Sequence, residues 1–425
     1  MKTIKTELLK YEPRGMVPNF STFWKKALNS TVYDDKNKKY IDFTSTIFVA
    51  NIGHGNKKLR KYLINTLNKP LLHAYHNPHE LRLKYVQKLQ KFVGEKSKRV
   101  LLLSGGSETT ECALKLMRLY AIKVKKRKPG IITLKGNWHG RTMGSQMLCS
   151  SLAQKNWIGF QDPNIHYLDF PYPWMKVDNK KFFKNSLKKL KKSIDFKKDI
   201  CGVMLETFQG WGAIFYEKEY VKEISKFCKK NKIILCFDEM QSGFGRTGKK
   251  FGYMHYDVKP NLICCGKGMG SGFPLSGIIG DAKIMNIPPT GALGSTHSGN
   301  PLACAAGLAT LEEIEKNKLV NKSKNLGSLL HKELNKMKKK YSNHIFAIQG
   351  KGLIGAVIFN EKINKILSGA KLASKVCDVS KKNGLLLVNT GLNSIKIGPP
   401  LTISKKDLLN GVNILDKAIQ FSLTD

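Results

Sequence analysis

Between about residues 99 and 280 the chain alternates short apolar runs with amphipathic stretches. The runs VLLLS (100–104), GIITL (130–134), CGVMLE (201–206), IILCFDE (233–239), NLICCG (261–266) and LSGIIG (275–280) contain little polar alternation, the pattern of strands buried on both faces. Helical spacing occupies 108–125 and 219–230. Strands alternating with helices predict an α/β domain with a mostly parallel central sheet covered by helices. The flanks differ. TVYDDKNKKYIDF (31–43) reads as a hairpin centred on 35–37. Beyond about residue 302 long helical patterns dominate, followed by short strands in GLIGAVIF (352–359) and NSIKIG (393–398). The two ends together predict a smaller α+β domain from 1–55 and 306–425, beside a large domain from 56–305.

Composition narrows the class. With 425 residues, 41% of them hydrophobic, the chain is long enough for two globular domains and unlike a disordered or fibrous one. No apolar run reaches the roughly 20 residues that span a bilayer. The opening MKTIKTELLK (1–10) lacks the apolar centre of a secretory signal, so neither membrane insertion nor export is expected. A net charge of +42 points first to nucleic acid or an anionic surface. However, only eight arginines occur, at 14, 60, 82, 99, 118, 127, 141 and 246, and the lysines are dispersed. Stretches such as FFKNSLKKLKKSIDFKKD (182–199) suit solvated helix faces, so no nucleic-acid partner is expected. A basic nucleic-acid-binding protein on an inactive scaffold is the rival from another class. The nine cysteines form no C-x-x-C pair and no zinc spacing, and Cys236, Cys264 and Cys265 sit inside apolar runs. They read as small buried hydrophobes of a reducing compartment, which predicts a cytoplasmic protein without a metal.

Four segments carry candidate chemistry. SGGSETTECALKLMR (104–118) sets a glycine pair and hydroxyls between a strand and a helix, where free N–H groups and the positive end of the helix dipole attract anions. Gly106 would let a phosphate approach and Ser107 would donate to it; the plainer alternative is a helix cap by Ser107 with Thr110 or Glu111 in support. GNWHGRTMG (136–144) offers Trp138 to stack on a flat heterocycle and Arg141 to fork onto a carboxylate, or else is a turn with a capped histidine. CFDEMQSGFGRTG (236–248) ends an apolar strand in two acids, at the sheet edge where open α/β folds bind ligands. Asp238 there suits a protonated ring nitrogen and Gln241 a phenolic oxygen, with a metal ligand or helix-capping acid as the alternative. NLICCGKGMGSGFPLSG (261–277) puts Lys267 between glycines after a buried strand, where desolvation lowers a lysine's pKa toward nucleophilic use. Taken alone it would read as a lysine in a surface loop. A lysine for an imine, a carboxylate for a pyridinium nitrogen, a phosphate turn and a stacking aromatic are together what pyridoxal 5′-phosphate (PLP) requires of its protein.

These segments resemble the class III PLP-dependent aminotransferases, the group of ornithine, acetylornithine and 4-aminobutyrate aminotransferases. The likeness runs from about Tyr33 to Ile403 and is carried above all by 237–277. Further matches are YIDFTSTIFVANIGHGN (40–56), GGSETTECALKLMR (105–118), WHGRT (138–142), LETFQGWG (205–212) and STHSGNPLACAAGLATLE (295–312). The resemblance implies PLP-transferase fold type I and a homodimer with active sites at the interface. It implies transfer of an amino group from an ω-amino acid or similar primary amine to a 2-oxo acid such as 2-oxoglutarate or pyruvate. A PLP-dependent aminomutase, decarboxylase or epimerase shares the same machinery and is the alternative.

Residue by residue, the resemblance matches Lys267 to the imine lysine and Asp238 to the pyridinium partner. Gly106 and Ser107 match the phosphate turn, Trp138 the stacking aromatic, and Gln241 the residue near the phenolic oxygen. Met240 stands where a small apolar residue usually packs on the ring, Thr296 matches a threonine that reaches the phosphate from the partner subunit, and Arg141 an arginine that in several members holds a substrate carboxylate. Two departures stand out. Trp211 in ETFQGWG replaces a glutamate of many members, and Lys396 in SIKIGPPLTIS replaces their arginine for the α-carboxylate. Glu206 matches a glutamate that pairs with that arginine while an ω-amino substrate is bound. A Glu206–Lys396 pair is therefore expected, with lysine keeping the charge but losing the two-pronged geometry.

Overall fold

Seven strands pair into one sheet: β1 Lys98–Leu103, β2 Gly130–Leu134, β3 Ile165–Leu168, β4 Ile200–Glu206, β5 Ile234–Asp238, β6 Leu262–Cys265 and β7 Ser276–Asp281, in the order β1-β7-β6-β5-β4-β2-β3. The computed structural model that contains them describes residues 7–13, 15, 22–191 and 193–424. Positions 1–6 of the opening segment lie outside the described residues. Neighbours from β6 through β3 run parallel, and β7 is antiparallel to both β6 and β1. This is the mostly parallel sheet that the unbroken apolar runs predict. Alternate residues of each strand face two different cores. Met204, Cys236, Cys264 and Ile278 pack on one side, and Val203, Phe237, Ile263 and Ile279 on the other. Each fully buried side chain of this size contributes about 1.5–3 kcal/mol, so a polar residue on either face would be costly. The pattern did not single out β3, whose four residues IHYL form an edge strand with two half-buried positions.

Helix Gly106–Lys123 covers one face of this sheet, and helices Lys218–Lys230 and Asn179–Lys191 cover the other. The amino-terminal strands Trp24–Leu28, Thr31–Asp34 and Lys39–Asp42 form a meander, and Lys39–Asp42 pairs in parallel with Leu385–Leu386 from the other end of the chain. The hairpin turn lies where expected. Asp34 Oδ1 accepts from Lys36 N and Lys38 N at 3.0 and 2.8 Å, and Asn37 takes the left-handed φ of 60°. A further sheet joins Ile345–Lys351, Ile354–Phe359, Ser394–Ile397 and Val388–Asn389, flanked by helices Leu319–Lys340, Gly369–Lys382 and Lys405–Thr424. No helix among the described residues is long and apolar enough to cross a membrane.

Candidate active site

The carboxyl ends of β4, β5 and β6 lie level, with Glu206 opposite Asp238 and Asp238 opposite Cys264. Lys267 follows three residues later, so two acids and a lysine meet at one sheet edge. They line a cavity of about 330 Å³ with Gly106, Ser107, Trp138, His139, Gly140, Arg141, Met240 and Gln241. Thr296, Lys396 and Trp211, also singled out from the sequence, do not line it.

Lys267 sits in the left-handed region with φ 46°, a conformation that costs a non-glycine residue roughly 1 kcal/mol or more. Its neighbours have no room for side chains. A Cβ on Gly266 would meet Met240 Sδ at 2.5 Å, and one on Gly268 would collide with the Asn51 amide. The flanking glycines thus let the lysine turn inward instead of marking a surface loop. Among the described residues, Lys267 Nζ has no hydrogen-bond or ion-pair partner. Burial pushes its pKa down, while the charges of Asp238 and Glu206 oppose the shift.

The two acids at the end of β5 divide their work. Glu239 is fully buried and accepts from Ser242 Oγ at 2.8 Å, Gly252 N and Tyr253 N at 2.7 Å, and Thr207 Oγ1. Its carboxylate is saturated by the loop it organises. Asp238 accepts from Met240 N at 3.0 Å through Oδ1 and contacts His139 Nδ1 at 2.9 Å through Oδ2. The sequence offered a capped histidine only as the alternative reading of this turn and gave His139 no role in the site. Its partner lies 99 positions away, a separation at which no local spacing rule operates. Asn137 Nδ2 approaches His139 Nε2 at 3.3 Å, which makes Nε2 the acceptor and Nδ1 the donor to Asp238. Among the described residues no group of three or more His, Cys, Asp or Glu is placed to hold a metal ion.

The helix after β1 begins at Gly106, two residues earlier than its apolar spacing predicts, because Glu108 closes the turn by accepting from Ser104 N and Gly105 N at 3.0 and 3.1 Å. Capping therefore does not fall to Ser107, whose Oγ accepts from Arg141 N at 3.1 Å. Glu111 accepts from Thr142 Oγ1, Gly144 N and Ser145 N in the next loop. The first-turn amides of Gly106 and Ser107 have no intrahelical acceptor, and both residues line the cavity, an arrangement suited to a phosphate. Gly140 binds the two loops together. Its φ of 146° favours glycine, and a Cβ there would strike Ser107 Oγ.

Trp138 is half-buried, and the exposed Arg141 places its guanidinium carbon 5.6 Å from the indole centroid. Glu206 is buried, and its Oε2 accepts from Trp138 N and Gly210 N at 3.0 and 3.3 Å. Burial pushes its pKa up to about 7. The expected Glu206–Lys396 ion pair does not form. Lys396 instead donates to Gln241 Oε1 at 2.9 Å, because Glu206 is turned toward the backbone amides of the Trp138 and Gly210 loops. Burial pushes the Lys396 pKa down to about 7, with Glu206 opposing and Lys267 adding to the shift. Thr296 is exposed and outside the cavity, where its carbonyl contacts His73 Nε2 at 2.8 Å. Arg246 is a residue the sequence did not assign. Fully buried, it ties Leu353 O, Pro399 O, Ser45 Oγ and Asn51 Oδ1 together behind the site.

Comparison with known proteins agrees with this geometry. Residues 12–419 match the family Aminotransferase class-III. The mitochondrial acetylornithine aminotransferase of Saccharomyces cerevisiae is 32% identical over 406 residues, 93% of this chain and 90% of that protein. A probable mitochondrial ornithine aminotransferase of Caenorhabditis elegans is 32% identical over 397 residues, 91% and 86% of the two chains. A solved aminotransferase of Bacillus anthracis superposes with a TM-score of 0.89 at 26% identity, over 99% of this chain and 100% of that one. A match over nearly the whole length, on a sheet edge that brings Lys267 and Asp238 together, makes this chain a member of the class III aminotransferases, enzymes that use PLP.

Proposed function

We propose that this aminotransferase takes the amino group of an ω-amino acid or similar primary amine and passes it to a 2-oxo acid such as 2-oxoglutarate or pyruvate. The observation that carries the reading is the exposed Arg141, which shares one cavity with Lys267. A substrate with a carboxylate at one end and an amine at the other bridges the two. A donor screen tests it. Donors such as 4-aminobutyrate and N-acetylornithine should reduce the cofactor absorbance, and an Arg141→Ala variant should raise their KM roughly tenfold or more. Equal activity with plain alkylamines, unaffected by that substitution, would overturn it.

The residues present fit PLP: a lysine unpartnered among the described residues, two helix-start amides without an intrahelical acceptor, an indole face and a carboxylate steadied by histidine. When bound, the cofactor supplies an electron sink for the carbon that carries the amino group. Lys267 would hold it covalently, and its free amine would take and return the substrate proton at Nζ; the lowered pKa favours the neutral amine this needs. Asp238 keeps a proton on the ring nitrogen, and His139 fixes its orientation. Gly106 and Ser107 would hold the phosphate, Trp138 and Met240 would pack on the ring, and Gln241 would donate to the phenolic oxygen.

The exposed apolar residues Leu67, Leu71, Leu72 and Tyr75 and the exposed Thr296 support a homodimer in which Thr296 serves the other subunit's phosphate. The pairing of Lys39–Asp42 with Leu385–Leu386 supports a small domain from 1–55 and 306–425 around a large domain from 56–305. The nine cysteines are all free thiols, which supports a reducing compartment and our placement of the protein in the cytoplasm. Cell fractionation tests that placement.

A further inference from the structure

Lys396 is nearly buried and, among the described residues, forms no ion pair with a carboxylate. Its ammonium is clamped between two groups: Gln241 Oε1 at 2.9 Å and the Phe48 ring, whose centroid is 4.7 Å away. Phe48 is itself fixed. It closes a turn in which Ser45, Thr46, Ile47 and Phe48 all take left-handed φ values, from 46° to 66°. Asp42 Oδ1 holds that turn by accepting from Thr44 N at 2.7 Å and Ser45 N at 3.2 Å, and Ser45 Oγ donates to Gly398 O at 2.6 Å. The lysine therefore has little freedom to swing toward a substrate.

A glutamine amide can offer either its oxygen or its nitrogen, whereas Lys396 in its protonated form, which prevails below about pH 7, can only donate. The contact with Lys396 thus decides which end of Gln241 faces each way. Nε2 is turned to the side of Gly210, where an added Cβ would meet it at 2.7 Å and Glu206 Oε1 at 2.8 Å. We propose that Lys396 is a positioning residue, which by holding Gln241 Oε1 leaves the amide N–H group as the end available to the cofactor's phenolic oxygen. This rests on the reading of Gln241 given above. A reversed amide would set oxygen lone pairs against an oxygen that carries negative charge.

A donor on the phenolic oxygen shares its charge and weakens its hold on the neighbouring proton of the Lys267-bound cofactor. The test is therefore the pH titration of the holoenzyme's visible absorbance, without substrate. Lys396→Met should move the midpoint up by about one unit, and Lys396→Arg should leave it within about 0.3 units. In a Gln241→Leu background, Lys396→Met should add nothing, because the effect passes through the glutamine. Should Lys396→Met fail to load cofactor, Lys396→Gln, too short to reach Oε1, should show the same upward shift. An unchanged midpoint, or a shift that persists in the Gln241→Leu background, overturns the proposal. A wild-type protein with no cofactor absorbance would instead refute the underlying reading of the site.

Discussion

Asp238→Asn leaves the shape of the site intact and removes one charge. Both carboxylate oxygens accept hydrogen bonds, Oδ1 from Met240 N and Oδ2 from His139 Nδ1. An amide has one acceptor end, so whichever way it turns, a donor faces a donor or His139 must change tautomer. A bond to a charged group contributes about 1.5–3 kcal/mol, which corresponds to roughly ten- to a hundredfold in rate. Losing the charge that keeps the ring nitrogen protonated adds to this, so the donor half-reaction should slow by at least about a hundredfold. Stopped-flow absorbance of the bound cofactor in a single turnover with a saturating donor measures it directly. Cofactor content should remain near stoichiometric, because Lys267 and the phosphate turn are untouched. A single-turnover rate within a few-fold of wild type would refute the role assigned to Asp238.

Further outcomes follow from other contacts. His139→Phe should lower the same rate roughly tenfold or more without removing cofactor, since Asp238 loses its only side-chain partner among the described residues; an unchanged rate would make the histidine purely structural. Gly140→Ala should weaken PLP binding at least about tenfold in equilibrium dialysis, because the new methyl displaces Ser107 Oγ at a φ that alanine avoids. Glu206 has a folded pKa of about 7 against 4.5 when free. Between those values the folded chain binds a proton that the unfolded chain has released, so stability falls as pH rises through that window. Glu206→Gln should therefore raise the apoprotein's Tm, relative to wild type, by more at about pH 8 than at about pH 4; a pH-independent difference would contradict this. Mixing Lys267→Ala and Thr296→Ala subunits should restore activity, because one site of the hybrid carries both lesions and the other neither. No recovery despite demonstrated subunit exchange would exclude shared sites.

Much of this site was legible in the chain because its parts are local. A lysine between glycines after NLICC, or an acid at the end of IILCF, is a contiguous signal, and the sheet edge brings such signals together without further information. Contacts across large separations were not legible. His139 and Asp238 meet only because β2 and β5 end at the same edge. Lys396 matched a family arginine by position, yet its ammonium was captured by Gln241 while Glu206 turned to backbone amides. The left-handed turn at Ser45–Phe48 has no glycine to announce it, since Asp42 and Arg246 supply the bonds that hold it. The short edge strand β3 gave too few residues for a period to emerge.

The assignment of Lys267 as the residue that carries PLP bears the most weight, and one chemical measurement addresses it. Holoenzyme reduced with borohydride, digested and sequenced by mass spectrometry should carry a single pyridoxyl group on Lys267. Loss of the label in Lys267→Ala should accompany loss of the visible cofactor absorbance. A pyridoxyl group on any other lysine, or retention of the absorbance in that variant, would contradict the account.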